Sequence, residues 1–109
     1  MAHVDDASGA HGSVECVSND SPTLHVRLTG EIDISNADRL GAALERLIDG
    51  NTRLLSVDLA TLAFMDSAGI AMLLRAAARV SSVEVRNPSD VMRRLIECTG
   101  LNEVLHVEG

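Results

Sequence analysis

Polar and apolar residues alternate over 24–30, "LHVRLTG": Leu24, Val26 and Leu28 point one way, His25, Arg27 and Thr29 the other. A period of two is that of a strand with one buried face. "SVECVS" (13–18) is a shorter strand of the same kind, followed by the turn-forming "SNDSP". "LLSVDL" (54–59), "SVEVR" (82–86) and "EVLHV" (103–107) complete the strand set. Between them the spacing becomes helical. Leu40, Leu44, Leu47 and Ile48 recur at three- and four-residue intervals, with Ser35 as the expected cap and "DG" at 49–50 as the stop. "IAMLLRAAARV" (70–80) is rich in good helix formers. In "NPSDVMRRLIECTG" (87–100), Asn87 is the expected cap, Pro88 suits the first turn and Gly100 the end.

After the first strand, strands and helices take turns, β-α-β-α-β-α-β, an order that calls for a mostly parallel sheet with crossover helices. Parallel strands covered on both sides read as continuous apolar runs. Several of these alternate instead, so the three helices are expected largely on one face, leaving the other partly wet. The prediction is a single α/β domain over 13–109 with a sheet of about 4–5 strands. Residues 1–12, "MAHVDDASGAHG", lack any period and read as a flexible tail.

Composition narrows the function. A chain of 109 residues holds one small domain, and its single aromatic, Phe64, makes the core aliphatic. A formal charge of −7 argues against a nucleic-acid surface. No apolar run approaches the roughly 20 residues of a membrane span, and no signal peptide is evident, so a cytoplasmic protein is expected. Cys16 and Cys98 read as small buried hydrophobes rather than a disulfide framework. His3 and His11 fall in the tail; His25 and His106 fall in strands. None has the neighbours of a metal site.

The chemistry concentrates in "FMDSAG" (64–69), where a strand-and-link segment gives way to a helix. Ser67 stands at or beside a helix N-terminus, where free N–H groups and the dipole favour negative charge. Three readings of this serine compete: a plain cap, a hydrolase nucleophile, or a phosphate acceptor. The placement is similar to a nucleophile elbow, but that motif needs glycine two residues earlier, and Met65 stands there. With no histidine aimed at Ser67, an enzyme is disfavoured. Asp66 would orient the hydroxyl or help hold a metal-bound nucleotide brought by a partner, and Gly69 leaves room for another backbone to approach. Ile70, Leu73, Leu74 and Ala77 form the expected buried face of the helix; Ala68, Met72, Arg75 and Arg79 form the expected contact stripe opposite.

"LHVRLTGEIDISNADRL", "LLSVDLATLAFMDSAGIAMLL" and "NPSDVMRRLIECTGL" together resemble the STAS domain of anti-sigma factor antagonists, over about residues 13–107. The resemblance implies a switch protein and not an enzyme. Its acceptor serine, here Ser67, is phosphorylated by an anti-sigma factor that is also a serine kinase. The unphosphorylated form binds that factor and frees the sigma factor. ATP and magnesium come with the kinase, the chain itself needs no cofactor, and a resetting phosphatase is a further partner to consider. Asp33 of "GEID" corresponds to the aspartate that engages the kinase, Asp66 to the motif aspartate and Gly69 to the motif glycine. Two departures stand out: Ala68 replaces a common Ser or Thr, and "RAAARVSSVEV" is short and lacks a usual glycine pair. "DSAG" also resembles small STAS subunits of lipid-transport ABC systems, which no kinase phosphorylates; this is the alternative reading.

Overall fold

The computed structural model describes residues 3–5 and 12–108. The chain forms strands β1 (His3–Asp5), β2 (Ser13–Asp20) and β3 (Thr23–Ile32), helix α1 (Ala37–Leu47), and strands β4 (Leu54–Asp58) and β5 (Leu62–Met65). Helix α2 (Ser67–Ala77), strand β6 (Ser82–Arg86), helix α3 (Asp90–Cys98), a 3-10 turn (Leu101–Glu103) and strand β7 (Leu105–Glu108) follow. The sheet runs β1-β2-β3-β4-β6-β7, with β5 paired to β3 beyond the end of β4. The β1–β2 and β2–β3 ladders are antiparallel and the remaining four parallel. The expected mostly parallel α/β sheet is therefore present, with more strands than the 4–5 expected.

The extra strands have clear origins. Residues 3–5, placed in the expected tail, pair with 13–15 of β2; of the remaining tail, 1–2 and 6–11 lie outside the described residues. "LAFM", read as a link, is β5. Its buried ends and exposed middle residues show no alternation to betray a strand.

Register puts the alternating apolar residues in line: Leu24, Leu55, Val83 and Leu105 in one row, Val26, Val57 and Val85 in the next. Leu40 and Leu44 of α1, Leu73 and Ala76 of α2, and Met92 and Ile96 of α3 complete the same aliphatic cluster. All three helices thus reach the same sheet face. Filling it with buried aliphatic side chains, each contributing about 1.5–3 kcal/mol of transfer free energy, holds the layers together.

The other face is polar and self-neutralising. Glu15, Arg27, Asp58 and Arg86 lie side by side across four strands. Arg27 reaches Glu15 at 3.1 Å and Asp58 at 3.5 Å. Burial alone would raise the Asp58 carboxyl, but hydrogen bonds from the Ala60 N–H, Asn87 and Arg27, and the Arg27 charge, hold it below its ordinary value. His25 belongs to this face, as its alternation predicted.

The helix caps differ from those expected. Asn36, not Ser35, precedes α1. The Ser35 hydroxyl donates to Asp33 instead. Ser89 caps α3 by accepting from the Met92 N–H at 3.1 Å. Asn87 sits at φ 56° and donates to Asp58 at 3.2 Å, turning the chain out of β6 rather than starting a helix. Gly100 ends α3 in the left-handed conformation, φ 75°, as a C-terminal glycine should. Cys16 is half-buried and Cys98 exposed, both as free thiols, so the expectation of two buried cysteines fails.

Candidate functional site

The site begins with a bend in β3. Gly30 adopts φ 81°, and the pairing shifts between Gly30 and Glu31, so β3 leaves β4 and continues alongside β5. Glu31 then pairs with Phe64, and Ile32 with Met65. The Asp66 N–H donates to the Ile32 carbonyl at 3.1 Å, extending the pairing by one step. The blocks "GEID" and "FMDSAG", far apart in sequence, become neighbours. Asp33 and Asp66 each follow the last residue of a parallel strand, at the carboxyl end of the sheet where α/β folds bind partners.

Asp66 is the cap of α2. Its Oδ1 accepts from the Ala68 N–H at 2.8 Å and the Gly69 N–H at 3.4 Å. Ser67, the first helical residue, is therefore relieved of capping, and it is exposed. Of the three readings, the plain cap is removed by geometry. A hydroxyl at this position faces solvent beside the positive end of the helix, where a phosphate could be accommodated.

The Asp33 loop is held by a buried amide. Asn36 is 2 % exposed. Its Oδ1 accepts from the Asp33 N–H and its Nδ2 donates to the Glu31 carbonyl, both at 2.9 Å. Asp33 Oδ1 in turn accepts from the Ser35 N–H at 2.9 Å. Asp33 is thus held half-buried, at the strand end next to that of Asp66, by a residue with no role expected from the sequence. An asparagine between Ser35 and Ala37 gave no sign of burial.

The stripe on α2 needs correction. Met72, expected at a contact surface, is 1 % exposed and belongs to the core. It fills the space left by Gly41 of α1, where a methyl group would stand 3.0 Å from Met72 Cγ. Arg75 and Arg79 are exposed but lean across to α1, Arg75 to Asp38 at 3.7 Å and Arg79 to Glu45 at 3.3 Å. Ala68 is half-buried. Gly69 is buried, and the room expected there for another backbone is taken by the Met65 and Ile32 side chains.

One feature was not foreseen. Phe64, Met65, Asp66, Ser67 and Ile70 face Val91, Arg94, Leu95, Cys98 and Thr99 of the α3 region across an apolar groove of about 500 Å³. Phe64 is 51 % and Val91 70 % exposed, two open apolar side chains on one groove. Ser67 stands on its rim. The spacing 91, 94, 95, 98 marks one face of α3, but only the tertiary fold shows that this face looks towards the serine. His25 and His106 line other depressions, not this groove. Among the described residues no group of three or more His, Cys, Asp or Glu converges as a metal site, and no helix is long and apolar enough to cross a membrane.

A family model described as "Mlab, STAS domain" matches residues 17–107. The anti-sigma-B factor antagonist of Listeria monocytogenes serovar 1/2a is 29 % identical over 100 residues, covering 88 % of each chain. Among solved structures, an anti-sigma factor antagonist from Mycobacterium paratuberculosis superposes with a TM-score of 0.79 at 22 % identity, covering 92 % of this chain and 87 % of that one. The Bacillus cell fate determinant SpoIIAA in its phosphorylated form gives 0.64 at 25 % identity, covering 88 % and 89 %.

Proposed function

The chain belongs to the STAS domain family, and on that premise we propose that it is an anti-sigma factor antagonist switched by phosphorylation of Ser67. One observation carries the reading: a serine freed from capping by Asp66 and exposed at the start of α2. The similar chains named as anti-sigma factor antagonists, and the one solved in a phosphorylated form, support it.

In this reading the unphosphorylated protein binds an anti-sigma factor with serine kinase activity and releases its sigma factor in the cytoplasm. The kinase brings ATP and magnesium. The Ser67 oxygen attacks the γ-phosphorus, the O–P bond forms as the bond to ADP breaks, and the hydroxyl proton passes to a base of the kinase. The product carries about −1.5 to −2 additional charge. Under a docked partner that charge must be desolvated or must displace the partner; a loss of about 3–4 kcal/mol weakens binding by two to three orders of magnitude. A resetting phosphatase would remove it. Asp33 and Asp66, at the ends of paired strands, frame the acceptor, and Arg75 and Arg79 extend the contact along α2.

The test is intact mass after incubation with the cognate anti-sigma factor, ATP and magnesium, followed by titration of the complex. One added phosphate, absent from Ser67→Ala, supports the switch, as do constitutive binding by Ser67→Ala and weak binding by Ser67→Asp. An unmodified Ser67 with phosphate-independent binding to a membrane ATPase favours the second reading, a regulatory STAS subunit of a lipid-transport ABC system. That reading is kept in play by "DSAG" and by the Mlab heading of the matching family model.

A further inference from the structure

The groove beside Ser67 contains one charge without a partner among the described residues. Among its polar side chains, Asp66 is committed to the α2 cap through Oδ1. Thr99 Oγ1 donates to the carbonyls of Leu95 and Ile96, at 2.8 and 3.1 Å. Arg94 is exposed and, among the described residues, has no hydrogen bond or ion pair. The first turn of α2 supplies no cation, its arginine lying in the last turn. A dianion on Ser67 would sit beside the Asp66 carboxylate with Arg94 as the guanidinium on the same groove.

We propose that Arg94 is the counter-ion of phosphorylated Ser67, and that in reaching it the arginine side chain closes over the apolar groove. The proposal rests on Ser67 being the phosphorylated residue. A guanidinium offers a planar pair of donors that matches two phosphate oxygens, and charge-assisted bonds of this kind are about twice as strong as neutral ones. Arg94 and Ser67 both line the groove, one from α3 and the other from the start of α2. Apolar lining such as Ile70, Leu95 and Cys98 shares the groove with both residues, and a long cationic side chain reaching for the phosphate readily covers apolar surface of this kind. With a neutral hydroxyl at 67, nothing draws Arg94 across and the groove stays open. Phosphorylation then acts twice: it adds charge at the rim and hides the adjoining apolar surface.

The experiment uses the full chain with phosphoserine installed genetically at position 67, so that it needs no kinase. Failure of the kinase to modify Ser67 would count against the functional reading alone. Phosphorus NMR titration reads the second ionisation of the phosphate in otherwise wild-type protein and in Arg94→Gln. The helix terminus and Asp66 act equally in both, so the difference isolates Arg94. Alkylation of Cys98 by a neutral maleimide reads access to the groove. The expected result is an ionisation lower by about half a unit or more with Arg94 present, and Cys98 alkylation slowed several-fold by phosphoserine only when Arg94 is present. Equal ionisation in the two proteins overturns the pairing. A shifted ionisation with unchanged Cys98 reactivity overturns the closure of the groove.

Discussion

Gly69 packs its bare α-carbon onto the Met65 side chain: a methyl group there would stand 2.9 Å from the Met65 sulfur, closer still to Cγ, and 3.2 Å from Ile32 Cγ2. The glycine of the motif therefore serves the approach of α2 to β3 and β5 within the domain. Gly69→Ala gains about 1 kcal/mol of helix propensity and costs about 1–3 kcal/mol in overpacking. The expected outcome is a net loss, read as a lower urea midpoint. Gly50→Ala, with no atom within 4 Å of the added methyl, is the control and should not show that loss.

Separate residues carry the cap and the acceptor, so their substitutions should separate too. Asp66→Ala removes the acceptor of the Ala68 and Gly69 N–H groups and should cost about 0.5–2 kcal/mol of stability. Ser67→Ala, at an exposed position with no capping duty, should stay within about 0.5 kcal/mol of wild type. Denaturant titration of both proteins decides. A Ser67→Ala protein as unstable as Asp66→Ala would return the serine to a structural role.

Arg75 and Arg79 are exposed and paired only at the surface with Asp38 and Glu45, so reversing both charges should leave the melting temperature little changed. If they meet the partner, Arg75→Glu with Arg79→Glu should slow association about tenfold at low salt, with the difference shrinking as salt is added. Stopped-flow association rates over a salt series test this. Salt-independent, unchanged rates would assign the two arginines to the α1–α2 contact alone.

Asp58 sets an acid limit on the fold. Its carboxyl is held below its ordinary value, so the stabilisation it provides is fully present above the unfolded pKa of about 3.9. That stabilisation is lost as pH falls through the lower folded value, when the native carboxylate takes up its proton. Asp58→Asn should remove this contribution and flatten the acid limb of a stability–pH profile, with the two proteins converging at the lowest pH. Urea midpoints between about pH 2 and 6 measure it.

The parts of the fold legible in the sequence were those with a strong period. Leu24, Val26 and Leu28 announced a one-faced strand because the far face has to meet water. The same logic failed for β5, whose four residues are too few to show a period. It also failed for α2, where Ala, Leu, Ile and Met occupy almost every side and the two arginines were the only guide to the outside. Long cationic stems can leave a packed helix interface and still reach solvent, so Arg75 and Arg79 pointed to a stripe that actually holds Met72 against Gly41. At the site, the placement of Asp66, Ser67 and Gly69 at a helix start was legible because a helix start has its own chemistry. Asn36 and Arg94 were not, since the hydrogen bonds of the first and the place of the second on the groove exist only once strands pair and helices dock.

Phe64 is the chain's sole phenylalanine, with no tyrosine or tryptophan beside it, and the fold places it on the groove, half in water, rather than in its interior. A core of branched aliphatics needs no ring, so replacing this residue with a fluorinated phenylalanine should leave the architecture untouched. Every copy of the label would then report from one address. Fluorine NMR of such a protein would show a single resonance, placed to register both the modification of Ser67 and the arrival of whatever macromolecule docks there.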